Sequence, residues 1–230
     1  MLNEGRRLVS VYIAPVHLFD DLNEGRSRWW IPLVICLLVG GVAAVLLRLG
    51  VPSGVWMDTI RQNLATSGAE MNEAYLEMAA NRISSPQALF FAGLGGVISS
   101  ALGIFVLTLL YWAVFAIFGG KINFNKSITV VAYSGLIVAL GHLVRLILSV
   151  SLQRLDIYTS LAILPFLEPG SYLFRFASQI EVFTVWRLVV MGLGFSTLAS
   201  VSRTKGYVLV ILPWLVLIAL LSFVKIGFGM

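Results

Sequence analysis

Long apolar stretches, divided by short polar or charged segments, dominate the chain. A helix rising 1.5 Å per residue needs about 20 apolar residues to cross about 30 Å of hydrocarbon. The pattern predicts five spanning helices, over about 31–49, 88–118, 128–151, 182–200 and 207–228. The first opens with Trp29, Trp30 and Pro32. Paired Trp suits a water–lipid boundary, and Pro is tolerated in a first helical turn. The second span exceeds the hydrocarbon thickness and must tilt or project into the interface.

The remaining segments do not reach spanning length. Residues 157–167, IYTSLAILPFL, are too short and end at Pro165, which predicts a re-entrant or surface-lying piece. In residues 5–24, Leu8, Val11, Tyr12, Pro15, Val16 and Phe19 recur at roughly helical spacing between Arg6, Arg7 and Asp20, Asp21. That pattern fits a short helix on the inner membrane surface, interrupted near Pro15, or an arm packed under the bundle. His17 reads as an interfacial polar residue. Between the first two spans, Trp56, Ile60 and Leu64 and then Met71, Tyr75 and Met78 form two apolar stripes broken at 66–68, which predicts two amphipathic helices.

Composition narrows the class. Of 230 residues, 59% are hydrophobic and 12% charged, against about 45–50% and about 25% in soluble domains. The fold class is therefore all-α, a polytopic membrane helix bundle with five transmembrane helices. The whole of 1–230 reads as one membrane domain, with 1–28 as a cytoplasmic or interfacial arm. The net charge of +5 is carried mainly by short loops and lacks interleaved aromatics, so it argues for topology and against nucleic acid. With the N-terminus inside, the inner segments hold Arg6, Arg7, Arg26, Arg28, Lys121, Lys126, Arg203 and Lys205. The loops GGKINFNK and SRTKG contain no acid, so the positive-inside rule places the N-terminus in the cytoplasm and the C-terminus outside. No signal peptide is recognisable, so the spans themselves are expected to drive insertion. Cys36 stands alone in the first span as a small apolar residue, and no Cys/His spacing suggests zinc.

No protease motif or phosphate-binding loop is present, so neither catalytic residues nor a cofactor or metal is expected. The pairs Gly96 with Ser100 and Ser99 with Gly103 are small-xxx-small patterns that permit close helix contact. The informative residues are intramembrane charges. Arg145 lies roughly 10 Å from the outer end of the third span and Arg187 roughly 9 Å from that of the fourth, with Lys225 also toward the outer boundary. His142 shares a helix face with Arg145. These cations could snorkel to headgroups, pair with Glu181, Asp156 or Glu168, or line a cavity that binds an anion or passes an ion.

Several segments, in order, resemble the YIP domain family of Ypt/Rab-interacting membrane proteins and their bacterial relatives. The segment APVHLFDDLNEGRSRWWIPL resembles the family's Pro-x-x-x-Phe start followed by Trp and Pro. FGGKINFNKSITVVAYSGLI resembles its Gly-Gly-Lys loop, aromatic residue and Ala/Gly-Tyr-Ser in the third span, and VFTVWRLVVMGLGFS with SRTKGYVLVILP resembles its Trp-bearing fourth span, short basic loop and last span. The matching positions are Pro15, Phe19, Gly119, Gly120, Lys121, Tyr133 and Trp186, all of an architectural kind. The resemblance implies a five-span bundle with cytoplasmic N-terminus and outward C-terminus. The short segment before the first span fits a bacterial inner-membrane member better than a Rab-binding one.

The expected function is a non-enzymatic integral membrane protein that organises membrane or recruits partners, as a homo-oligomer or with other membrane proteins. The alternative is a small transporter, channel or lipid-handling protein that uses Arg145, Arg187 and Lys225 toward an ion or anionic lipid.

Overall fold

The computed structural model describes residues 2–25, 27–67, 76, 78, 82, 83, 85–168 and 170–223. Nine α-helices are named here: α1 Glu4–Ile13, α2 Pro15–Glu24, α3 Trp30–Gly50, α4 Ser53–Ser67, α5 Pro86–Ile117, α6 Phe124–Leu152, α7 Tyr172–Gln179, α8 Val182–Leu198 and α9 Arg203–Phe223. Four of them, α3, α5, α6 and α9, are long and apolar enough to cross a membrane, and α8 is a shorter apolar helix.

Helix α6 is the axis of the bundle. Its first half, Ser127 to Ile137, is buried without interruption, although the helix is less apolar than α3 or α5. Lipid tails are as apolar as Leu, so helices associate in a membrane through close packing and polar contacts. The buried hydroxyls are satisfied within the helix, with Thr129 Oγ1 donating to the Asn125 carbonyl at 2.7 Å and Ser134 Oγ to that of Val131 at 3.1 Å. Glycines set the other approaches. A methyl group on Gly96 of α5 would lie 2.4 Å from the Gly40 carbonyl oxygen of α3, so α3 and α5 cross backbone to backbone. A methyl on Gly141 would meet the Phe183 ring at 2.7 Å.

The N-terminal segment does not lie flat beneath the bundle. It forms a helical hairpin, α1 and α2, broken at Ala14, with Pro15 opening α2 where its missing N–H costs nothing. Val11, Leu18, Phe19 and Leu22 are buried, whereas Val9 and Ile13 are exposed. The hairpin stands upright against α6 and α8. At its tip the Tyr12 hydroxyl donates to the Leu136 carbonyl at 2.9 Å, and the Tyr12 ring meets Trp186 edge-on. Leu136 lies roughly 18 Å along α6 from Phe124, so the tip reaches the middle of that helix. Both arms carry an apolar face and a charged end, which supports insertion beside α6 as readily as rest on a surface.

Between α3 and α5, Met57, Leu76 and Ile83 form a small core with Trp56, Ile60 and Leu64. Of the expected second amphipathic stripe there, Met71 and Tyr75 lie outside the described residues, and Met78 is exposed. The 157–167 segment is not a spanning helix. It holds one 3-10 turn, Leu161–Ile163, with Ile163 and Phe166 exposed. Helix α7 follows and packs on α9, where Arg175 Nε donates to the Ser222 carbonyl at 2.8 Å. Within α9, Pro213 removes one helical N–H, and Tyr111 of α5 donates to the nearby Val210 carbonyl at 3.0 Å.

Candidate functional site

The charged groups fall into three levels along the bundle. The first joins α6 to the start of α8. The Arg145 guanidinium donates to Glu181, which also accepts from Thr159 Oγ1 at 2.5 Å. Glu181 is the N-cap residue of α8, so its negative charge also meets the positive end of the helix dipole. Glu181 forms an isolated antiparallel bridge with Ser160, and the Leu161 N–H donates to the Ile180 carbonyl at 3.1 Å. One carboxylate therefore fastens α6, the 157–163 segment and α8 together. His142 lies one turn from Arg145 and is exposed on the bundle surface. Asp156 pairs instead with Arg154 at 2.8 Å, and Glu168 is exposed; neither meets Arg145 or Arg187.

The second level is Arg187, which sits deeper than its distance from Glu181 suggests. Helix α8 starts well below the end of α6, because Glu181 is held at the level of Arg145. Phe183 packs on Gly141, and Val130 packs on Gly194. That antiparallel register sets Arg187 opposite Ile137, roughly 20 Å from one end of α6 and roughly 22 Å from the other. The three expected cations thus do not share one depth. Arg187 lies at mid-depth, and Lys225 lies outside the described residues. Arg187 Nε and Nη2 are shut off from solvent and have no hydrogen-bond partner.

The third level is at the end of the bundle that carries the loops GGK and SRTK. Arg7 is buried in the hairpin, with Nη2 2.7 Å from Asp21 Oδ2 and Nη1 2.9 Å from Glu4 Oε1. Asp21 also accepts the Leu2 N–H at 2.7 Å, and Glu4 accepts from the Tyr133 hydroxyl at 3.4 Å. Burial pushes the Asp21 carboxyl up, but the Leu2 N–H and the Arg7 guanidinium outweigh that and hold it below the usual carboxylate range. The sequence pattern names Tyr12, Arg7 and Asp21 only as parts of the N-terminal stripe and its flanks, and singles out neither their network nor Thr159. A signal for the network does exist: Arg7 and Asp21 are equidistant from Ala14, so a hairpin broken there brings them together.

The family-pattern positions cluster around this hairpin and the adjoining loops. Phe19 packs on Gly194, Trp186 on Tyr12, and Tyr133 is fully buried against Glu4. Gly119 has φ +77°, a left-handed conformation that ends α5. The Gly120 N–H then donates to the Phe115 carbonyl at 2.7 Å, and the Lys121 N–H to the Ala199 carbonyl at 2.9 Å. Lys126 Nζ donates to the Leu198 carbonyl at 3.0 Å, placing a cation on the negative end of α8. Among the described residues, no group of three or more His, Cys, Asp or Glu could hold a metal ion.

Comparison with known proteins places the molecule among membrane proteins. It is 23% identical over 212 residues to a protein of Bacillus subtilis (strain 168) described as membrane protein YknW, covering 92% of this chain and 86% of that one. No solved structure matches it. The Yip1 domain matches residues 9–224, from within the hairpin to beyond the end of α9. An integral membrane bundle with this match belongs to the Yip1 domain family.

Proposed function

We propose that the protein is a non-enzymatic scaffold of a bacterial cytoplasmic membrane, which organises the bilayer or recruits membrane partners as a homo-oligomer. Helices α3, α5, α6, α8 and α9 are the five crossings, with the N-terminal hairpin at the cytoplasmic side and the C-terminus outside. The basic, acid-free loops at the hairpin's end of the bundle support that orientation. The observation that carries the scaffold reading is the outward face of α5. Gly95, Ser99 and Gly103 are exposed at four-residue spacing, and a methyl on Gly95 or Gly103 would meet nothing within 4 Å. Gly96 and Ser100, on the adjacent face, are already used against α3. An open small-residue stripe lets a second α5 approach closely. Cross-linking of wild type and Gly95→Leu in native membranes tests this. Loss of the cross-linked dimer in the variant is expected; an unchanged dimer, or none in the wild type, refutes it.

Arg187 favours a second reading, in which the bundle handles an anion or anionic lipid. A guanidinium with two buried nitrogens unpartnered among the described residues costs several kcal/mol, and a bound anion would offset that cost. Arg187→Leu should then abolish anion-dependent thermal stabilisation in detergent. Retained stabilisation removes the reading.

A further inference from the structure

The geometry points to a binding site for one anionic phospholipid in the groove between α5 and α9, its headgroup at the SRTK loop and one acyl chain along the apolar walls. This inference stands apart from the scaffold and Arg187 readings, since it uses neither the Gly95 stripe nor that guanidinium.

Helices α5 and α9 touch only lightly, with the Tyr111–Val210 hydrogen bond as their polar link. Below that bond, toward the basic loops, they part to leave an open groove of about 510 Å³. Ligand sites commonly occupy about 300–1,000 Å³. Val114 and Phe118 form one wall, and Val208, Leu212 and Pro213 the other. Val208 and Leu212 are exposed, so this wall has no protein cover. From Ser202 to Pro213 the groove extends roughly 16 Å along α9. That is close to half of a hydrocarbon core about 30 Å thick, the depth of one leaflet.

The mouth has the opposite character. Ser202, Thr204 and Lys205 line it, at the positive end of α9. Ser202 Oγ accepts the Lys205 N–H at 3.3 Å, while the N–H groups of Arg203 and Thr204 have no helical partner. Arg203 adjoins Lys205, and the Lys121 N–H bonded to Ala199 ties the second basic loop to the same corner. Lys121, Arg203 and Lys205 are all exposed, and among the described residues none forms an ion pair. Of the hairpin acids, Glu4 and Asp21 are engaged by Arg7, while Asp20 and Glu24 are exposed on α2.

This division selects the occupant. A leaflet-deep apolar slot suits an acyl chain, and three uncompensated cations beside free helix N–H groups suit a phosphate. A zwitterionic headgroup would bring its own cation to that cluster. A second copy docking through the same face would oppose like charges. An anionic phospholipid satisfies both parts at once.

The test uses the purified full chain in detergent, titrated with dioleoyl phosphatidylglycerol or dioleoyl phosphatidylcholine and read by native mass spectrometry. Preferential retention of phosphatidylglycerol is expected. Lys205→Ala should lower its occupancy about fivefold, the usual effect of one interfacial cation. Val208→Trp should displace either lipid by filling the slot. Arg6→Ala, an exposed cation on the hairpin, should leave occupancy unchanged, as should Gly95→Leu. Equal retention of the two lipids, an unchanged Lys205→Ala, or an equal loss in Arg6→Ala overturns the proposal. Should Val208→Trp not fold, a phosphatidylglycerol carrying an acyl diazirine decides the point on the wild type. Labelling at Val114 or Phe118 is expected, and labelling only elsewhere overturns the site.

Discussion

Replacing Glu181 with Ala removes the carboxylate that holds Arg145, Thr159 and the start of α8 together. Deleting one partner of a buried ion pair costs about 3–5 kcal/mol, chiefly because the other charge is left uncompensated. The side chains of Arg145 and Glu181 are 31% and 14% exposed. That exposure lets the freed guanidinium reach toward headgroups, which trims the expected loss to about 2–3 kcal/mol. Arg145 Nε already lacks a partner, so little else in the protein takes up the charge. The double variant Arg145→Leu/Glu181→Ala, compared with each of its single changes, removes both charges, and its cost should fall to about 1 kcal/mol. The coupling between the sites is then about 2 kcal/mol or more, measurable by a double-mutant cycle of unfolding in mixed micelles followed by circular dichroism. A Glu181→Ala variant as stable as wild type refutes the reasoning. So does a double variant that loses the sum of the two single changes.

Other parts of the bundle give equally direct outcomes. Gly96→Ala should destabilise by about 1–3 kcal/mol, the usual cost of overpacking, because its methyl meets the Gly40 carbonyl. Gly95→Ala, on the open face, should leave thermal stability in detergent unchanged. Tyr12→Phe removes the bond from the hairpin tip to Leu136 and should cost about 1 kcal/mol, seen as faster hydrogen exchange in α1. The low-lying Asp21 carboxyl stabilises the hairpin fully above its ordinary pKa of about 3.9, and that contribution is lost as pH falls through its lower folded-state value. Exchange in α1 and α2 should therefore quicken in acid, and Asp21→Asn should remove most of that dependence.

Much of the bundle was legible in the sequence because a membrane imposes length. All of the expected spans coincide with apolar helices, with ends that shift by a few residues, except that 224–228 of the fifth lies outside the described residues. Hydropathy does not reveal which helix lies at the centre. Helix α6 holds that place through its Ser, Thr and Gly positions, and such residues lower the apolar signal while promoting contact. The hairpin was hidden for a related reason. Its apolar stripe is that of a surface helix, and only the symmetry of Arg7 and Asp21 about Ala14 marks the upright fold. The juxtaposition of Arg145 with Glu181 could be weighed from sequence, since both stand near the same end of their spans. The depth of Arg187 could not, because it depends on how far α8 is recessed, and the packing of Phe183 on Gly141 sets that register.

An odd number of crossings depends on α8. At 17 residues, Val182–Leu198 rises roughly 25 Å, a little short of a typical hydrocarbon core. Reporters that are active only in the cytoplasm or only outside, fused in turn to each end of the full chain, test this directly. A cytoplasmic N-terminus and an external C-terminus are expected. Both ends on one side of the membrane would contradict it.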